Sequence, residues 1–256
     1  MKIALVGYGK MGKEVEAIAV ERKHEIVSRY TSTYPLCEDN WIECDLVIEF
    51  TTPEMAASNI EFCLNKKVPI CIGSTGWYKE YHRLSALCME QDGAMFSATN
   101  FSLGVNVYWQ IAAYTAKLFS QISGYQSAIV ENHHTGKKDA PSGTAITLAE
   151  HYIENQSELT SWNLQDTFWK NDSAEVKIEK NSFDFSQKHS IPIVSIREEG
   201  VPGTHQLFEF GEHDTIKLEH QAITRKGFAE GAVIAAEWLK DKKGVFRMSD
   251  MLKFEA

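Results

Sequence analysis

Ile3-Ala4-Leu5-Val6-Gly7-Tyr8-Gly9-Lys10-Met11-Gly12 puts a short apolar run directly before a G-x-G-x-x-G loop, and a helical pattern over Lys10–Arg22 follows. Gly7 permits a tight turn, Gly9 lets a pyrophosphate approach the backbone, and Gly12 allows the helix to pack closely on the strand. The unpaired N–H groups at the helix start, with the helix dipole behind them, suit an anion. Strand, loop and helix in this order predict a dinucleotide site contacted by Gly7, Gly9, Lys10, Met11 and Gly12.

Further apolar runs lie at Glu25–Ser28, Asp45–Phe50, Pro69–Ile72 and Ala94–Phe96, with helical patterns near Pro53–Asn65 and Lys79–Gln91 between them. Apolar runs that alternate with helices are what a parallel sheet covered on both faces requires. The first part therefore reads as a doubly wound α/β, Rossmann-type dinucleotide-binding domain. From Gly104 the pattern changes. Helices are predicted near Val105–Phe119 and Ser142–Tyr152, and strands near Gln126–Glu131, Glu175–Lys180, Ile191–Arg197, Gln206–Phe210 and Thr215–Ala222. No long helix separates the last three strands, which favours an α+β domain with an antiparallel or mixed sheet. The polar stretch Glu154–Ser173 receives no assignment, and an Ala-rich helix near Phe228–Lys240 closes the pattern.

Ligands of open α/β sheets bind at the carboxyl ends of strands. Glu49-Phe50-Thr51-Thr52-Pro53, Gly73-Ser74-Thr75-Gly76 and Asn100-Phe101 all fall there. Their small residues leave room for a nicotinamide ring. A carboxylate at the end of the second strand would bind the ribose of NAD and repel the phosphate of NADP. Here Ser28 takes that place and Arg29 follows. An arginine can form charge-assisted bonds to phosphate, so NADPH is expected to be favoured over NADH.

The formal net charge of -9 and a pI near 5.5 disfavour a nucleic-acid or anionic-membrane partner. An anionic ligand must then meet a local basic site. The five cysteines, Cys37, Cys44, Cys63, Cys71 and Cys88, are odd in number and form no C-x-x-C pair, so they read as reduced thiols without a metal. The run Ile3–Val6 is too short for a signal-peptide core, and no stretch has the length of a membrane span, so a cytoplasmic location is expected.

The most informative segment is Glu131-Asn132-His133-His134-Thr135-Gly136-Lys137-Lys138-Asp139-Ala140-Pro141-Ser142-Gly143-Thr144-Ala145. Two histidines precede two lysines, and Ser142-Gly143-Thr144 then starts a helix. Its first N–H groups suit a carboxylate, the hydroxyls can donate, and Lys137 adds positive charge. The segment is fit to hold a small dianion beside a titratable group. His133 or Lys137 can deliver a proton. Adjacent residues of a strand point to opposite faces, so His133 and His134 are not expected to share a metal ion.

Glu131 to Ala145 resembles the signature E-x-H-H-x-x-K-x-D-x-P-S-G-T-A of the 4-hydroxy-tetrahydrodipicolinate reductases. Gly7–Gly12, Glu49–Pro53, Gly73–Gly76, Asn100–Asn106 and Arg225–Ala232 fall in that family's order. The resemblance implies a dinucleotide-binding domain over 1–102 completed by 226–256. It implies a substrate-binding and tetramerisation domain over 103–225, and a homotetramer. It implies reduction of 4-hydroxy-tetrahydrodipicolinate by NADPH or NADH, with loss of water, in diaminopimelate and lysine biosynthesis. It marks His133 and Lys137 as catalytic, and His134, Ser142, Gly143 and Thr144 as holding the carboxylates of the substrate. It places Phe50, Gly73, Thr75, Ala98, Asn100 and Phe101 against the cofactor. Ser28 and Glu49 depart from the acid and the aspartate that the family often has. In Arg197-Glu198-Glu199-Gly200-Val201-Pro202-Gly203-Thr204-His205 the first glycine falls late, so this loop is assigned no role.

Overall fold

The computed structural model describes residues 1–170 and 178–253. The chain first forms β1 (Lys2–Val6), α1 (Lys10–Glu21), β2 (Glu25–Tyr30), β3 (Leu46–Glu49), α2 (Pro53–Asn65), β4 (Ile70–Ile72), α3 (Tyr81–Glu90) and β5 (Ala94–Ser97). Next come α4 (Leu103–Phe119), β6 (Gln126–His133), α5 (Gly143–Ile153), β7 (Ser161–Lys170), β8 (Ser190–Glu198), β9 (Thr204–Phe210) and β10 (Thr215–Gln221). α6 (Lys226–Leu239), β11 (Gly244–Phe246) and α7 (Met248–Leu252) follow. Two compact units result, Met1–Leu103 with Arg225–Ala256, and Gly104–Thr224.

The first unit is a parallel sheet in the order β11-β5-β4-β3-β1-β2. Successive strand residues alternate between its faces. Ile3, Leu5, Leu46, Ile48 and Phe96 pack with Val15 and Ala19 of α1 and Ala232 and Val233 of α6. Ala4, Val6, Val47, Ile70 and Met95 pack with Ala56, Ile60 and Leu64 of α2 and Leu84 of α3. Both faces are therefore dry, which is why the strands read as continuous apolar runs. Pro53 sits at the first turn of α2, where its missing N–H costs nothing. All five cysteines are free thiols, and Cys63, Cys71 and Cys88 are buried. β11 is a strand that the sequence reading leaves in a tail; three residues carry too little pattern to be seen.

The second unit is a mixed sheet in the order β10-β9-β6-β8-β7, antiparallel from β10 to β6 and parallel from β6 to β7. One face packs Ile129, Ile193 and Leu207 against Tyr108, Trp109 and Ala112 of α4 and Leu148 and Ala149 of α5. The other packs Val130, Val194, Ile196 and Phe208 with Phe183. β7 corrects the unassigned stretch at Glu154–Ser173. Among the described residues it pairs with β8 alone, carries a register shift between Leu164 and Asp166, and leaves Phe168 and Trp169 exposed. An edge strand with an irregular register has no clean alternation to read. Of the strand expected at Glu175–Lys180, residues 175–177 lie outside the described residues, and Lys180 begins a short 3-10 turn instead.

Candidate active site

In the first unit, the glycine loop closes onto the carboxyl edge of the sheet. Gly7 has φ +92° and donates its N–H to the Tyr30 carbonyl at 3.0 Å. A side chain there would overlap the Phe50 carbonyl, and one at Gly12 would overlap the Gly7 carbonyl. At Gly9 an added carbon would meet nothing within 4 Å. Gly9 also caps α1 without a side-chain hydrogen bond, and no acidic residue stands in the first turn. The loop is thus packed from behind by two glycines and open where an anion would sit. That geometry fits a dinucleotide pyrophosphate. Lys10 is exposed and Met11 is half-buried beside it.

The neighbouring strand ends are knitted to this loop. Phe50 N–H donates to the Val6 carbonyl at 2.7 Å, and Gly73 N–H to the Glu49 carbonyl at 2.8 Å. The Phe50 ring lies where a side chain at Gly73 would stand, so only glycine fits. Phe101 is buried 6.0 Å from the Phe50 ring, Asn100 is buried, Ala98 is half-buried and Thr75 is exposed. Glu49 is fully buried, and one of its oxygens accepts from Thr51 N–H at 2.9 Å and Ser74 Oγ at 3.0 Å. Burial pushes its carboxyl up despite those bonds.

The end of β2 differs from the sequence reading. The strand continues through Tyr30, so Ser28 is a buried mid-strand residue and the carboxyl end is Tyr30-Thr31. Three hydroxyl residues, Thr31-Ser32-Thr33, occupy the place where an acid would select the ribose. Arg29 is held by Glu16 of α1, with Nε donating to Oε2 at 3.0 Å and Nη2 to Oε1. The guanidinium holds the Glu16 carboxyl below its ordinary value.

In the second unit, the polar residues of three strands meet on the face that α5 covers. Register sets Glu131 opposite both Ser195 and His205, and His133 opposite Arg197. These residues extend the side-chain rows of Ile129, Ile193 and Leu207, so the period of two that buries the core also gathers the cluster. Glu131 is its centre and is fully buried. It accepts from Ser195 Oγ at 2.7 Å, from Ser142 N–H at 3.1 and 3.0 Å, and from Arg197 Nη2 at 3.2 Å. His133 Nδ1 stands 3.3 Å from its Oε2, close enough for an ion pair though poorly aligned for a hydrogen bond. Burial opposes the charge on Glu131, but the contacts from His133, Ser142 and Ser195 outweigh it and hold the carboxyl well below its usual range.

Ser142 caps α5, its Oγ accepting from Ala145 N–H at 3.1 Å and lying 3.2 Å from His205 Nε2. Such a cap fixes where the helix begins. Burial, then the neighbouring His133, push His205 down to about 3, which leaves it neutral at physiological pH. Arg197 is equally buried and donates to the backbone carbonyls of Lys137 at 3.3 Å and Asp139 at 2.6 Å. It therefore holds the turn that carries Lys137. Lys137 Nζ pairs with Asp139 at 2.8 and 2.9 Å. His134 and Thr144 are half-buried, and Gly143 is exposed at the first turn of α5.

The sequence-predicted residues of this segment are thus gathered on one strand end, one turn and one helix start. Ser142 has its N–H on Glu131 and its hydroxyl on the Ala145 N–H and beside His205. Sequence reasoning missed the roles of Glu131, Ser195, Arg197 and His205. The signal was present: a serine and an arginine at alternate places in Ile193-Val194-Ser195-Ile196-Arg197, an otherwise apolar strand. Among the described residues, Glu131, His133 and His205 also bring ligand-type atoms within 4.8 Å of one another. The Arg197 guanidinium and the hydrogen bonds already made to Glu131 oppose a metal cation there.

A family profile described as dihydrodipicolinate reductase, N-terminus, matches residues 1–101, and one described as its C-terminus matches residues 104–252. A 4-hydroxy-tetrahydrodipicolinate reductase of Christiangramia forsetii is 40% identical, with 98% of each chain covered. One of Archaeoglobus fulgidus is 33% identical over 99% of this chain and 100% of its own. A dipicolinate-bound dihydrodipicolinate reductase from a Paenisporosarcina species shares the fold, with a TM-score of 0.74, 22% identity, and coverage of 98% of this chain and 99% of its own. Among the described residues no helix is long and apolar enough to cross a membrane. On both halves of its length, the chain belongs to the dihydrodipicolinate reductase family.

Proposed function

We propose that this chain reduces 4-hydroxy-tetrahydrodipicolinate to tetrahydrodipicolinate, with loss of water, at the expense of NADPH or NADH in diaminopimelate and lysine biosynthesis. The observation that carries this reading is the turn between His133 and Thr144, a cationic segment in an acidic protein fixed from beneath by Glu131 and Arg197. When bound, a reduced nicotinamide supplies hydride. Lys137, His134 and the N–H groups at the start of α5 hold the carboxylates of the ring. Their positive charge is in place before reaction, so it stabilises the electron-rich ring without reorganisation. His133 or Lys137 gives the proton.

The end of β2 supports NADPH as the favoured cofactor, because no carboxylate stands at Thr31-Ser32-Thr33 to repel a phosphate. Arg29 reaches that phosphate only by sharing itself with Glu16. A homotetramer built through the second unit is part of the proposal, supported by the exposed apolar side chains Leu164, Phe168 and Trp169 on the edge strand β7. The free thiols support a cytoplasmic location. The test is an assay with freshly made synthase product, following loss of the reduced nicotinamide band with NADPH and with NADH. Sedimentation gives the oligomeric state.

A further inference from the structure

We infer that Glu131 and Gly203 are positioning residues for His133, one acting at each nitrogen of its ring. The inference rests on the proposed reduction and adds two residues to its machinery. Nδ1 of His133 is buried and faces the Glu131 carboxylate at 3.3 Å. Nε2 lies against Gly203, where an added side-chain carbon would stand 3.1 Å from it and 3.2 Å from Cδ2. The His205 ring meets His133 edge to face at 5.0 Å, which fixes the ring plane. Glu131 itself has no freedom to turn away, since Ser195, Ser142 and Arg197 all donate to it.

A negative charge fixed 3.3 Å from Nδ1 favours the proton on that nitrogen in both charge states of the ring. Nε2 is then the nitrogen that gives its proton to the substrate ring, which has accepted hydride. The imidazolium becomes the neutral Nδ1–H tautomer, and a proton from water restores it. A side chain at position 203 would occupy the space that an approaching substrate atom needs. This gives a role to the loop Gly200–His205, whose late glycine departs from the family pattern, and to a glutamate that no proton-transfer step uses directly.

Histidine-selective nitrogen NMR of the whole protein tests the inference, with His133→Gln to assign the signal and the pH raised until the ring is neutral. The wild-type ring is expected in the Nδ1–H form. In Glu131→Gln the Nε2–H form should gain, kcat should fall about a hundredfold, and KM for NADPH should hold. Gly203→Ala should keep the Nδ1–H form and lose kcat. A wild-type ring in the Nε2–H form, or both variants within about twofold of wild-type kcat, overturns the inference. If Glu131→Gln does not fold, the wild-type spectrum and Gly203→Ala still decide it. Absence of wild-type turnover would sink the proposed reaction and leave the tautomer result standing on its own.

Discussion

Arg197 donates from Nη2 to the carbonyl of Asp139 at 2.6 Å, so a guanidinium rooted in a strand holds the backbone of the turn that presents Lys137. The same nitrogen reaches Glu131 at 3.2 Å. Removing it frees the turn and leaves a buried carboxylate without its cation. Arg197→Met should destabilise the fold by about 3 kcal/mol, as breaking one side of a buried ion pair does. Arg197→Lys should retain charge but lose the backbone clamp, raising KM for the dicarboxylate. Denaturant melts and steady-state kinetics read the two effects apart; an Arg197→Lys enzyme with wild-type KM would contradict the clamp.

Among the described residues Lys137 pairs with Asp139, which is exposed, and such a pair is worth about 0–1 kcal/mol. Lys137→Ala should therefore leave the melting temperature nearly unchanged. It should lower kcat/KM about a hundredfold or more if the lysine holds the dianion or gives the proton. Asp139→Asn should release the lysine and cost far less. A Lys137→Ala enzyme with near-normal turnover would remove the residue from the site.

Glu209 is fully buried and bonded to Ser127 Oγ at 2.9 Å, and among the described residues its other oxygen has no hydrogen-bond partner. Burial pushes it up to about 7, above its ordinary 4.5. The sign follows from proton linkage: the folded state holds a proton that the unfolded state releases, so the stability it gives is full below about 4.5 and is lost as pH rises through about 7. Glu209→Gln should then gain on the order of 3 kcal/mol over wild type at pH about 8.5 relative to pH about 4. His205 has the opposite pH dependence. Its value is depressed to about 3 from 6.5, so its contribution is present above 6.5 and is lost as pH falls toward 3. Thermal melts of wild type and Glu209→Gln across that range give the slopes, and a Glu209→Gln curve parallel to wild type would contradict the first.

The sheet of the first unit is legible in the sequence because Ile3–Val6, Leu46–Glu49 and Ile70–Ile72 are buried on both faces and leave unbroken apolar runs. The dinucleotide loop is legible for a different reason: Gly7 and Gly12 are forced by backbone contacts that tolerate no side chain. β7 is hidden because, among the described residues, it is an edge strand paired with β8 through an irregular register, which needs no regular alternation. The hub of the second unit is hidden because it is made by register. Glu131, Ser195 and His205 are far apart in sequence and become neighbours only when β6 lies between β8 and β9. Ser28 misleads because the length of β2, two residues beyond it, is set by pairing with β1 through Val6 and Tyr30.

Arg29 and Glu16 form a charge pair beside the glycine loop. A phosphate arriving there competes with Glu16 for the guanidinium. Arg29→Ala should raise the dissociation constant of NADPH about tenfold and leave that of NADH within about twofold. Glu16→Gln should tighten NADPH by freeing the arginine. Equal change for both cofactors would show that Arg29 plays no part in the choice.

In the proposed reaction the turn between His133 and Thr144 grips a dicarboxylate ring so that it can be reduced. Loss of the reduced nicotinamide band, with freshly made synthase product as substrate, tests it most directly when wild type is run beside His133→Gln and Lys137→Ala. Rapid, substrate-dependent loss is expected in wild type, with a fall of about a hundredfold or more in each variant. Cofactor binding with no substrate-dependent loss in wild type, or near-normal rates in both variants, would contradict it.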